Sequence, residues 1–135
     1  MLIDTHAHLD FPDFEGEIDA VLDRAARAGV TRVVTIGTSV ESSRRAVALA
    51  QRHPSVYAAI GIHPDAAVDA PPDAIDALRE LAAHPRVIAV GETGLDYYRL
   101  PGGTEDARIK AAQAELFERQ LALAAEFGLN AVIHQ

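Results

Sequence analysis

The chain has 135 residues, 49% hydrophobic and 24% charged, which suffices for one globular domain with a real core and needs no second. Twelve cations against 20 anions leave a net charge of −8, so broad coating of nucleic acid through its phosphates is disfavoured, while a nucleic-acid end entering a metal-lined pocket is not. With no cysteine, neither a disulfide framework nor a thiolate metal site can form.

In chain order, "LID" opens a short strand, and Ile18, Val21, Leu22 and Ala25 then recur at helical spacing until Gly29 stops the helix. The β-branched run at 32–37, "RVVTIG", reads as a buried parallel strand. Thr38 with Glu41 has the form of a capping box, which starts a helix to about residue 52. A third strand is expected over 55–64, closed by Pro64, and Ile75, Leu78, Leu81 and Ala82 mark a third helix that ends before Pro85. A fourth strand follows over 86–94. A long connection with Gly102 and Gly103 then leads to a helix over 105–127, stopped by Gly128, and "LNAVIH" at 129–134 makes a fifth strand. The opening "MLIDTH" lacks a basic segment followed by an apolar one, so no signal peptide is expected. No apolar run approaches the ~18 residues of a membrane span, and a cytoplasmic location without membrane partners is the default.

Five strands alternating with four helices imply a parallel sheet covered by helices. Two architectures fit, a doubly wound open sheet or a section of a (β/α)8 barrel. Length favours the open sheet, because a barrel typically takes about 250 residues. In either case the functional rim lies at the C-terminal ends of the strands. That rim collects His6, His8, His63 and His134, four of the six histidines, with Asp4, Glu92 and Asp96 beside them. His53 and His84 each precede proline at a helix end and need no further role. Mixed imidazole and carboxylate side chains suit Zn²⁺, Mn²⁺ or a related divalent ion. A nucleotide-binding sheet would need a glycine-rich turn after the first strand, where the residues are "THAHLDFPDF". A serine hydrolase would need GxSxG, which is absent, and helix capping accounts for Ser39, Ser42 and Ser43.

Taken together, "IDTHAHLD" (3–10), "GIHP" (61–64), "GETGLDYY" (91–98), "FERQLALA" (117–124) and "VIH" (132–134) resemble the TatD family, along the whole chain and in order. The family comprises metal-dependent hydrolases, many described as deoxyribonucleases, on a (β/α)8 barrel related to the amidohydrolases. The resemblance implies that residues 1–135 are the first five strands and four helices of such a barrel, truncated after strand five and without an internal domain boundary. It implies His6 and His8 as ligands of one metal, Glu92 as a bridge between two, and His134 on the second. His63 would act beside the site on substrate phosphate, with Glu92 the other catalytic group. Asp96, in orientation or loop structure, and Arg99 would serve substrate binding. Tyr97 and Tyr98 would flank the mouth or serve in core or loop packing. The cofactors implied are two divalent ions (Mg, Mn or Zn), and the partner is DNA, entered from a 3′ or 5′ end.

Two departures stand out. The family's site is completed by a His after strand six and an Asp after strand eight, which have no counterpart up to Gln135, and Asp65 stands where the family tends to carry a second His. Strands one and five would be open edges flanked by apolar surface, so the chain alone is expected to self-associate; the favoured reading is that it is a portion of a longer protein. The reaction expected is metal-assisted hydrolysis of a phosphodiester, exonuclease-like. Its rivals are an ester or amide hydrolase, for instance on an aminoacyl ester of tRNA, and a chain that binds metal without turnover.

Overall fold

A computed structural model describes all residues, 1–135. Strands β1 (Leu2–Ala7), β2 (Val30–Ile36), β3 (Val56–Ile60), β4 (Val87–Gly94) and β5 (Asn130–His134) alternate with helices α1 (Ile18–Arg27), α2 (Val40–Arg52), α3 (Ala74–Ala82) and α4 (Asp106–Phe127). The five strands form one sheet in the order β1-β2-β3-β4-β5, every neighbouring pair parallel. That order decides between the two architectures. A doubly wound sheet reverses its strand order at a switch point, whereas here each strand is laid beside the last in the same direction. The result is a half-barrel, and the expectation from length gives way to the topology. No helix is long and apolar enough to cross a membrane.

The helices share one side of the sheet. The main core joins Val33, Val56, Ala58, Ile60, Val87 and Val90 of the strands to residues such as Val47, Leu78 and Leu123 of the helices. On the other face Val34, Ile36, Ala59 and Ala89 form a small cluster flanked by Tyr57 and Val132, with no helical residue in it. Period-two alternation divides β2 and β3 between a helix-packed exterior and a barrel interior, and in β4 a register shift at Ile88 puts Val87 with Val90 on the exterior and Ala89 on the interior.

Local details differ from expectation in physically simple ways. The N-cap of α2 is Ser39, whose hydroxyl accepts the Ser42 N–H, rather than Thr38. Ser42 and Ser43 do not cap; they are buried and tie strand ends together. Ser42 Oγ accepts the Thr38 N–H and donates to Asp10 at 2.8 Å, while Ser43 Oγ accepts the Gly61 N–H and donates to the Gly61 carbonyl. Strand β3 stops at Ile60, leaving Gly61 to His63 as a rim segment, and short 3-10 turns occupy Pro12–Phe14 and Pro64–Ala66. Two close approaches need glycine. A Cβ on Gly61 would lie 2.6 Å from the Gly91 carbonyl carbon, and one on Gly94, at φ +149°, would run into the His134 carbonyl.

Candidate metal centre

The rim brings together His6, His8, His63, Glu92, Asp96 and His134 from four strand ends. His6 lies within β1, and His8 one residue past it, yet both turn the same way: their Nε2 atoms lie 3.6 and 3.7 Å from Glu92 Oε2. The other carboxylate oxygen of Glu92, Oε1, is 2.7 Å from His134 Nδ1. Glu92 is buried on β4, so the two histidine groups face opposite oxygens of one well-held carboxylate. His6, His8 and Glu92 offer ligand atoms within 4.8 Å of one another, as do His63, Glu92 and His134, and also His63, Asp65 and Asp96.

Hydrogen bonds set the tautomers. His8 Nδ1 lies 3.1 Å from the Ile36 carbonyl and must donate to it, which leaves Nε2 as a free lone pair facing Glu92. His63 is set the opposite way. Its Nδ1 accepts the Asp65 N–H at 3.1 Å, capping the Pro64–Ala66 turn, so the neutral ring carries its proton on Nε2. Burial, then the neighbouring His134, hold the pKa of His63 below its usual value and keep that ring neutral. Within its clusters His63 thus presents an N–H rather than a lone pair, at an Nε2 that lies 3.3 Å from His134 Nδ1.

His134 sits between two carboxylates, with Nδ1 on Glu92 and Nε2 3.1 Å from Asp96 Oδ2. Burial alone would lower its pKa, but the bonds to Glu92 and Asp96 outweigh that and raise it. The N–H of Tyr98, donated to Asp96, holds the Asp96 carboxyl below the usual range against its desolvation, with His134 assisting. Asp96 therefore orients both His134 and its own loop. Arg99 stands further out, 3.4 Å from Asp65, beside a cleft of about 380 Å³ also lined by Asp96, Arg108 and Ile109. Tyr97 and Tyr98 are exposed there.

The structure also brings in residues that sequence reasoning passed over. Gln113 and Gln120, both buried on α4, bond to the backbone of Asp96 and Ile62. The signal was available: both fall on the apolar stripe that Leu116 and Leu123 define, where an unpaired amide would be costly. His53 and His84 lie away from the rim, His53 as the C-cap of α2 and His84 accepting the Arg86 N–H.

Known proteins resemble this chain along its whole length. The chain is 38% identical over 134 residues to YabD of Bacillus subtilis, described as an uncharacterized metal-dependent hydrolase, covering 99% of this chain and 50% of that protein. It is 37% identical to a 3′-5′ ssDNA/RNA exonuclease TatD of Musicola paradisiaca, covering 98% of this chain and 48% of that one. The crystal structure of the TatD homologue YjjV from Escherichia coli superposes with a TM-score of 0.87 at 36% identity, over 98% of this chain and 50% of that one. The chain thus spans about half the length of the curated relatives it matches. The profile of the family described as TatD related DNase matches residues 3–135, and the chain belongs to that family.

Proposed function

We propose that this chain supplies part of the catalytic centre of a metal-dependent hydrolase that cleaves phosphodiester bonds at a nucleic-acid end. The observation that carries the reading is Glu92, whose two oxygens face separate histidine groups, His6 with His8 and His134 alone. That is the donor arrangement a bridging carboxylate needs, and imidazole with carboxylate suits Mg²⁺, Mn²⁺ or Zn²⁺. His6, His8 and Glu92 would hold one ion, Glu92 and His134 a second. When bound, such ions supply Lewis acidity, which lowers the pKa of water toward about 7 and offsets charge on phosphoryl oxygens.

The chain's own groups divide the remaining work. His63, neutral and protonated at Nε2, offers that N–H to a phosphate oxygen. Asp96 orients His134 from the side away from Glu92. Arg99, with Arg108 across the adjoining cleft, places positive charge where the rest of a strand would leave the site, in a chain that is otherwise acidic. A relative described as a 3′-5′ ssDNA/RNA exonuclease supports a single-stranded end as substrate.

The test is Mn²⁺ binding by electron paramagnetic resonance, together with hydrolysis of an end-labelled oligonucleotide by the longest form of the protein. Glu92→Gln should weaken binding more than about 100-fold and abolish hydrolysis. Retained binding of both ions and full activity would remove Glu92 from its bridging role. Hydrolysis of ester substrates but not the oligonucleotide would assign the centre to carboxylic esters instead. Binding without turnover in the 135-residue chain would limit that chain to metal binding.

A further inference from the structure

We infer that Gln120 and Gln113 are positioning residues of the candidate centre, each gripping one rim loop from beneath through a two-bond amide clamp. The inference rests on the reading above, in which His63 and Asp96 serve that centre. Gln120 Oε1 accepts the Ile62 N–H at 2.8 Å while its Nε2 donates to the Ile62 carbonyl at 3.0 Å. Gln113 does the same to Asp96, at 2.8 and 2.9 Å. Both side chains are buried, at 0% and 2% exposure, and seven residues apart they lie on one face of α4.

The two clamps occupy equivalent places. Ile62 lies two residues past the end of β3, and Asp96 two past the end of β4. There the sheet ladder has stopped serving the backbone, and buried N–H and C=O groups must find partners or cost the fold dearly. A side-chain amide presents a donor and an acceptor side by side, so it pairs with both groups of one residue as a neighbouring strand would. The residue so fixed either precedes a site residue, His63, or is one, Asp96. Fixing Ile62 fixes the course of the chain into the Pro64–Ala66 turn, where the Asp65 N–H sets the His63 tautomer. One rigid helix thereby sets two loops that share no hydrogen bond between their backbones. An apolar stripe at these positions would have packed as well but held neither loop.

The test reads the His63 tautomer directly, by ring ¹⁵N chemical shifts of the metal-free chain between pH 7 and 9.5, with His8 as internal reference. In the parent chain His63 should show a single Nε2–H form across this range. Gln120→Met should fold but lose that single form while His8 keeps its own. Gln120→Glu is the conservative variant. While neutral, its carboxylic acid can both accept from Ile62 and donate to it, so the parent signature is expected at the lower pH. As the buried carboxyl ionises, the donor is lost and the His63 signature should be lost with it. Should Gln120→Met fail to fold, Gln120→Glu decides alone. A His63 tautomer unchanged in folded Gln120→Met, or unchanged in Gln120→Glu while the ¹³C shift of the introduced carboxyl shows that it has ionised, overturns the clamp. A parent chain that shows the expected tautomer but binds no Mn²⁺ would count against the metal reading and leave the clamp standing.

Discussion

In β3 four of the five residues are buried and the fifth, Tyr57, is half-buried; in β1 five of the six are exposed and none is buried. Strand β5 resembles β1, with three exposed residues of five. The contrast follows from position, because β2, β3 and β4 have a strand on each side and β1 and β5 have one apiece. Yet the candidate ligands are split across it. Glu92 stands on the buried β4, whereas His6 and His134 stand on the outer strands. The half-barrel holds the Glu92 carboxylate with a well-packed strand and offers histidines to it from strands that draw much less on the core. Position of the centre is therefore set from the middle of the sheet outward, with the glutamines of α4 bracing the loops between.

The largest expected effect would break or uphold this contrast directly. Ile60 on β3 is fully buried and Ile133 on β5 is about half exposed, at 0% and 52%. Ile60→Ala should cost about 2–5 kcal/mol in urea denaturation, and Ile133→Ala should stay within about 0.5 kcal/mol. Equal losses would mean that the outer strands are as tightly integrated as the inner ones. Next in size is Gly94→Ala, because any side chain there collides with the His134 carbonyl. We expect about 1–3 kcal/mol of destabilisation together with weaker Mn²⁺ binding, since β5 must move and carries His134 with it. Unchanged Mn²⁺ binding would show that β5 tolerates displacement without disturbing the centre. Smaller again is the effect on association. Leu2, Ile3 and Ile133 are exposed on unpaired edges, and the 135-residue chain should dimerise reversibly in sedimentation experiments. Ile133→Lys should raise the dissociation constant about tenfold, or ~1.4 kcal/mol; a parent chain monomeric at every concentration would show that these edges are not adhesive.

How much of this could be read from the residues divides along the same line. The strands and helices with strong periodicity, including α3, α4 and β4, fall where the apolar spacing places them. So does the rim histidine set, because strand-end positions are legible once strands are. What escaped was decided by contacts between distant segments or by the backbone geometry of a helix start. The cap at Ser39 rather than Thr38, and the burial of Ser42 against Asp10, are decided by neighbours 30 or more residues away in the second case and by backbone geometry in the first. Length pointed to an open sheet, but only pairing order could reveal that no switch point exists. Gln113 and Gln120 are polar residues on an apolar stripe, a visible anomaly whose meaning needed the partners Asp96 and Ile62.

The smallest effect tests the electrostatics of the rim in the metal-free chain, and it lies in a sign. His134 has a raised pKa, so its contribution to stability is fully present below the unfolded value of 6.5 and is lost as pH rises through the folded one. His63 has a lowered pKa, so the folded chain resists a proton that the unfolded chain accepts, and its contribution is lost as pH falls below 6.5. The two slopes oppose each other on either side of pH 6.5, stability rising toward it from below through His63 and falling away above it through His134. Thermal melts of the parent chain between pH 5.5 and 8 should therefore pass through a maximum near the unfolded value, and each single variant should lose one side of it. His134→Gln should leave a Tm that rises with pH, and His63→Gln one that falls. Asp96 does not confuse the comparison, since its lowered pKa places its own transition below the usual carboxylate value of 3.8. If His134→Gln still showed a Tm falling with pH across this window, the bonds from Glu92 and Asp96 would not be holding a proton on His134, and the outer strand's histidine would be only loosely engaged by the carboxylate at the centre of the sheet.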